Sequence, residues 1–399
     1  MRQTPYYVFD TDEFAKRAAM IRAALDCKGG RRIPLCFSIK ANPFLLHRLP
    51  EGLDHVEVCS PGELEICIAL GVKPESIIYS GVMKEKCDIE RAVSYGAGIL
   101  TCESIRHAAL ISEVMLEGMP EGVHEAEFAE TKAHVILRLT SGNQFGMSID
   151  DIEYIMSHPD EFKGITVMGI HYYSGTQKSL RKINKDLEKI KSALTGLKEK
   201  YGFEPQLVEY GPGLCVEYFE DDWQEKEKQS LDEAAEVLRE FAVEYPLGIE
   251  MGRFLAASCG KYYTQVKDLK STGDANYAIL DGGIHHLNYF GQRMAMQVPP
   301  ISIYRAAGVE LTQLPDIDYT LCGSLCTVAD VLVREVKLKK LELGDVLEFG
   351  HCGAYSVTEA PALFLSRQLP AIYAYSKEYG YECLREHIPA AEINLAGKK

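Results

Sequence analysis

Short apolar runs separated by longer amphipathic stretches set the rhythm of the chain between residues 35 and 254. Eight runs read as strands: Leu35–Lys40, His55–Ser60, Ile77–Gly81, Gly98–Cys102, Ala133–Thr140, Thr166–Tyr173, Gln206–Tyr210 and Leu247–Gly252. Near-continuous apolar runs of this length suit strands covered on both faces. The stretches between them carry helix signals. Pro61–Leu70, for example, follows Ser60 as a capping residue and has Glu in its first turn. Eight βα repeats over about 220 residues predict a (β/α)8 TIM barrel, with an open doubly wound sheet as the alternative.

After Gly252 the rhythm changes to alternating strands with few helical patterns, in YYTQVKDL, ANYAILDGG, DYTLCGSLC, DVLEFG and AIYAYS. These predict a C-terminal β domain, a β-barrel or sandwich. The N-terminal TPYYVFD is strand-like and free to pair with it. The expected organisation is an N-terminal strand in residues 1–15 joining the β domain, a barrel over 16–258 and the β domain over 259–399.

The composition narrows the function. A net charge of −15 with no long basic block argues against nucleic acid or an anionic membrane as the main partner. With 46% hydrophobic and 25% charged residues, no apolar stretch of membrane-spanning length and no secretory core at the start, the reading is a cytoplasmic globular protein. Twelve scattered cysteines without a C-x-x-C fit reduced core thiols, and no metal site is expected.

In a barrel of this kind the chemistry belongs at the C-terminal ends of the strands. Lys40 closes the first run, with an apolar strand behind it and the barrel mouth ahead, as a Schiff-base lysine requires; a snorkelling strand-end lysine is the alternative. The seventh run ends in Tyr210-Gly211-Pro212-Gly213 and the eighth in Glu250-Met251-Gly252-Arg253. Glycines after strands seven and eight let backbone N–H groups approach a phosphate, and Glu250 beside them is suited to keeping a ring nitrogen protonated. A lysine, a phosphate cradle and a carboxylate together point to pyridoxal phosphate.

These residues lie within motifs that, taken in order, are highly specific: FSIKAN at 37–42, CSPGELE at 59–65, GIHYYSGTQ at 169–177, GPG at 211–213, EMGRF at 250–254, DGG at 281–283, GSLCTVADVL at 323–332 and GAY at 353–355. Over essentially its whole length the chain resembles the fold-type III pyridoxal-phosphate decarboxylases, the group of diaminopimelate, ornithine and arginine decarboxylases. The resemblance implies a barrel of alanine-racemase type, with Lys40 forming the internal aldimine and Glu250 on the pyridine nitrogen. It places Thr176, Gly211, Gly213, Gly252, Arg253 and Tyr355 around the phosphate, Glu57 near the lysine, and Arg138 near the cofactor. It further implies a head-to-tail homodimer with shared active sites, in which Cys326 of the second subunit protonates the carbanion. A buried structural thiol is the alternative for Cys326.

Two departures bear on substrate. The residue after the cysteine, usually acidic in amine-forming relatives, is Thr327, which offers a hydrogen bond but no charge to a distal ammonium group. Asp281 is a remaining candidate carboxylate. At the ring-stacking position, usually His, the chain has Tyr173, with His171 two residues earlier on the same strand face as the other candidate. Together with YSGTQ, DGGIHH and EAPALFLSRQLP, these features resemble a secondary-metabolism subgroup that includes a glutamyl-acyl-carrier-protein decarboxylase. The expected activity is α-decarboxylation of an amino acid or carrier-bound aminoacyl group. Diaminopimelate decarboxylation is the main alternative, and an amino-acid racemase or a non-catalytic pyridoxal-phosphate protein is less favoured. An acidic carrier would need a local basic patch on this acidic chain, which the sequence alone does not locate.

Overall fold

The computed structural model describes residues 2–27, 29–118, 132–305 and 310–397. It divides into two compact units. One comprises Arg17–Cys215 with Glu227–Phe254; the other takes in the N-terminal segment up to Lys16, Val216–Lys226, and the chain from Leu255 onward.

The first unit is a closed parallel barrel of β2 (Leu35–Ser38), β3 (His55–Val58), β4 (Ile77–Tyr79), β5 (Ile99–Cys102), β6 (Ala133–Arg138), β7 (Ile165–Tyr173), β8 (Leu207–Gly211) and β9 (Leu247–Met251). The strand ladder closes where β2 pairs with β9, which excludes the open sheet. Helices follow most strands for local reasons. Ser60 accepts the N–H of Glu63 at the start of Pro61–Ala69, as its sequence position predicts. The helix Leu180–Tyr201 buries Ile183, Leu187, Ile190, Leu194 and Leu197 at helical spacing. It ends on Gly202 in the left-handed conformation.

Lys40, expected at the end of the first strand, lies instead on a short 3-10 turn, Ile39–Ala41. The strand stops because Asn42 donates its N–H to the Ile39 carbonyl and its side chain caps the next turn, which begins at Pro43.

The second unit is a mixed sheet. Its strands are β1 (Tyr6–Asp10), β10 (Gly260–Thr272), β11 (Ala275–Leu280), β12 (Ile301–Tyr304), β13 (Asp316–Cys322), β14 (Val331–Lys339), β15 (Val346–Phe349), β16 (Ala371–Ser376) and β17 (Gly380–Arg385). The main order is β14-β13-β11-β10-β1-β16-β17, with β15 joining β10 and β12 joining β15. Thus β1 sits centrally, antiparallel to β10 and parallel to β16. No helix of the described residues is long and apolar enough to cross a membrane.

The β6–β7 ladder slips by one residue before Gly169, and a Cβ on Gly169 would lie 1.6 Å from the Leu207 carbonyl oxygen. Only glycine admits that approach of β8. Gly169→Ala is therefore expected to cost at least about 1–3 kcal/mol and to lower the melting temperature by about 5 °C. Calorimetry checks this; an unchanged melting temperature would contradict the packing.

Candidate active site

Along the barrel the interior changes from apolar to ionisable. Cys36, Ile78, Ile99 and Ile136 pack together with Met168 and Leu207, and because they come from strands around a closed barrel, they fill its interior. One strand period beyond Leu207 comes Glu209, paired in register with His171. Glu57, His171, Glu209 and Glu250 are each no more than 6% exposed and form a polar layer above the apolar one.

Ionisable groups at this depth need partners. Lys40 Nζ lies 2.8 Å from Glu57 Oε2 and 3.4 Å from Cys59 Sγ. Burial pushes the Glu57 carboxyl up, but the charges of Lys40 and His171 and hydrogen bonds from Lys40 and Ser38 outweigh it and bring it down to about 2. Glu209 goes the opposite way. Burial, then the carboxylates of Glu250 and Glu57, hold it well above the usual carboxylate range, which favours its neutral form. Glu250 Oε1 lies 3.3 Å from His171 Nε2, while its Oε2 is buried without a hydrogen-bond partner among the described residues.

Beside this layer the backbone closes into a cradle. Gly213 has φ +58°, and a Cβ there would lie 2.2 Å from the Gly175 carbonyl oxygen and 3.1 Å from the Thr176 Cα. A Cβ on Gly211 would meet the Tyr173 ring at 2.5 Å and Glu250 Oε1 at 2.6 Å. Gly252 is confined by Ala41 and Ser38, and Arg253 opens a short helix beyond it. Buried Lys178 ties the loops together, donating to Asp186 at 2.8 Å and to the Gly211 carbonyl at 2.9 Å. Arg138, at the end of β6, donates to Glu103 at 2.5 Å, and Glu103 in turn accepts the Gly146 N–H.

The remaining sequence candidates lie in the β unit. Cys326 and Thr327 occupy a loop tied by buried Asp330, which accepts the N–H groups of Leu325 and Ile284. Cys326 is exposed. Tyr355 is half-buried with φ +68°, an uncommon conformation for a non-glycine residue. Asp281 has both oxygens engaged: Oδ1 accepts from Thr264 and Gln265, and Oδ2 from Thr4. It is a tether of the sheet rather than an open carboxylate.

The sequence reading passed over Glu209, Glu103, Lys178 and Lys84. Glu209 carried a signal, a lone acid inside the apolar run LVEY. Lys84 is buried, donates to the Gly81 carbonyl, and is pulled down to about 8 by burial; nothing around it in the sequence marks it.

The family model described as "pyridoxal-dependent decarboxylase, pyridoxal binding domain" matches residues 11–257. The chain belongs to the pyridoxal-dependent decarboxylases. Among similar proteins is the L-glutamyl-[BtrI acyl-carrier protein] decarboxylase of Niallia circulans, 27% identical over 98% of this chain and 93% of the relative. A diaminopimelate decarboxylase of Zymomonas mobilis is 25% identical over 92% and 86%. The crystal structure of Helicobacter pylori diaminopimelate decarboxylase with L-lysine superposes with a TM-score of 0.79 at 20% identity, covering 98% of this chain and 96% of that one, a likeness of fold.

Pyridoxal phosphate is the cofactor of this family, and the residues present fit it. The unpartnered Glu250 Oε2 suits a pyridinium N–H, the glycine cradle leaves backbone room for a phosphate, and Lys40 supplies an amine.

Glu57 is depressed on folding, so its contribution to stability is complete above the ordinary carboxylate range and is lost as pH falls through that range to about 2. Glu57→Gln should destabilise the protein by on the order of 2–3 kcal/mol near pH 6, with the difference shrinking steadily below pH 4.5. Urea unfolding across pH measures it; a pH-independent difference would contradict the Lys40–Glu57 pairing.

Proposed function

We propose that Lys40, Glu57 and Glu250 form the reacting end of the decarboxylase site, and that a carrier-bound or free α-aminoacyl group is its substrate. The observation that carries the reading is Lys40 Nζ at 2.8 Å from Glu57, above a buried layer that includes the unpartnered oxygen of Glu250. When bound, pyridoxal phosphate supplies the electron sink that lets a Cα–carboxylate bond break. Glu250 holds a proton on the pyridine nitrogen, and Glu57 keeps the Lys40 ammonium oriented. Backbone N–H groups around Gly211, Gly213 and Gly252, with Thr176 and Arg253, hold the phosphate. Arg138, fixed by Glu103, adds positive charge near the cofactor, and Tyr173 takes the ring-stacking position.

The proton that replaces the lost carboxylate at Cα is assigned to the Cys326 thiol of a second copy in a head-to-tail homodimer. Support comes from its position: Cys326 is exposed, so its thiol is open to a second copy. Mixing Lys40→Ala and Cys326→Ala subunits should restore about a quarter of wild-type activity, because half the dimers are hybrids and each holds one intact site. No recovery after verified subunit exchange would contradict the shared site.

The substrate class rests on Thr327. A hydroxyl in place of an acid leaves a distal ammonium without a counter-charge, whereas the carrier-linked glutamyl group of the Niallia circulans relative has a neutral thioester. Carbon dioxide release should favour L-glutamyl carrier protein over free glutamate, ornithine, lysine and meso-diaminopimelate by at least about tenfold in kcat/KM. Preference for meso-diaminopimelate would overturn this reading.

A further inference from the structure

The helix Leu180–Tyr201 carries its cations in two different ways. In its C-terminal half Lys191, Lys198 and Lys200 each lie within 3.0 Å of a glutamate, Glu244, Glu204 and Glu153 respectively. In its N-terminal half Arg181, Lys182 and Lys185 are exposed and have no ion pair among the described residues. The local acids do not neutralise them: Asp186 is buried against Lys178, and Glu188 is the one exposed carboxylate beside them. The first helical turn holds no acid, although that end of a helix favours negative side chains. On a chain of net charge −15, three unpaired cations are thus gathered where they oppose the helix dipole.

Lys182 and Lys185 line a groove of 340 Å³ whose walls include Ser141, Tyr172, Thr176 and Lys189, and Arg181 shares the adjoining hollow with them. Lys189 is braced there, donating to the Thr140 carbonyl with its ammonium 5.3 Å from the Tyr172 ring centre. Thr176, on the loop after β7, lines the groove, and its Cα also borders Gly213 of the cradle. A basic surface therefore lies beside the cradle loops.

We propose that this surface, formed by Arg181, Lys182, Lys185 and Lys189, docks an acidic acyl-carrier protein and leads its substrate arm toward Lys40. The proposal rests on the carrier-bound substrate reading and supplies the local basic patch that reading requires. Charge complementarity steers encounter and sets register, and it weakens with salt. The phosphodiester of the carrier's arm carries the same sign of charge as the carrier surface, so one cluster attracts both.

The test compares two substrates, L-glutamyl-loaded BtrI acyl-carrier protein and L-glutamyl pantetheine thioester, on the holoenzyme. Two charge-matched variants are used, Arg181→Glu/Lys182→Glu/Lys185→Glu and, as control on the same helix, Lys191→Glu/Lys198→Glu/Lys200→Glu. The expected result is a more than tenfold rise in KM for the carrier substrate in the first variant only. The pantetheine thioester should be turned over equally by all three proteins, and the salt dependence of the carrier reaction should be lost in the first variant. Equal losses in both variants, equal losses on both substrates, or no loss would overturn the docking surface while leaving the carrier-bound reading in place. A change from dimer to monomer in the first variant would assign the patch to a second copy of the chain instead. Wild type that turns over a free diamino acid and neither glutamyl thioester would remove the carrier reading and the docking surface together.

Discussion

Everything at the barrel mouth depends on one ion pair, partly exposed Lys40 with buried Glu57 at 2.8 Å. An ammonium at the end of an apolar strand is costly by itself, and three carboxyl groups below it would repel one another if all were ionised. The barrel resolves both problems by dividing the roles. Glu57 takes the charge opposite Lys40, burial and the neighbouring carboxylates favour the neutral form of Glu209, and Glu250 keeps one oxygen against His171 and one unpartnered. Among the described residues the layer leaves Glu250 Oε2, both Glu209 oxygens and both His171 nitrogens without a hydrogen bond, and the Glu250 oxygen is the one suited to a pyridinium partner. The apolar layer of Cys36, Ile78, Ile99 and Ile136 beneath keeps water from satisfying it from below.

The barrel strands were legible because each is covered on both faces and so writes an uninterrupted apolar run. The β unit was only half legible, for a physical reason. The three strands missed by the sequence pattern, β12, β14 and β17, all lie at the ends of sheet paths, where one edge is unpaired and charged residues such as those of VREVKLK and GYECLR are tolerated. The site divided in the same way. Lys40, Glu250 and the glycines were legible from their position at or just beyond strand ends, whereas Lys178 and Glu103 act through Gly211 and Arg138, partners from distant sequence, and no local pattern announces such pairs. Asp281 shows the converse. Its motif looked chemical, but both oxygens are committed to holding Thr4 and strand β10 at Thr264 and Gln265.

Net charge takes on a different meaning once the surface is resolved residue by residue. The chain is acidic overall, yet Arg181, Lys182 and Lys185 on Leu180–Tyr201 have no ion pair among the described residues, and Lys182 and Lys185 line a groove that Thr176 also borders. A global value of −15 therefore excludes a polyanion that needs a broad basic face, and it is compatible with one that needs a small one.

The central claim, that Lys40 is the residue to which pyridoxal phosphate attaches, has a direct test in borohydride reduction of the holoenzyme followed by peptide mapping. The buried lysines Lys84 and Lys178 belong to the same unit and serve as internal competitors. The account predicts a single pyridoxyl-modified peptide containing Lys40, and its disappearance in Lys40→Ala. Label on Lys84 or Lys178 in the wild-type protein, or no covalent label on a cofactor-loaded enzyme, would contradict it.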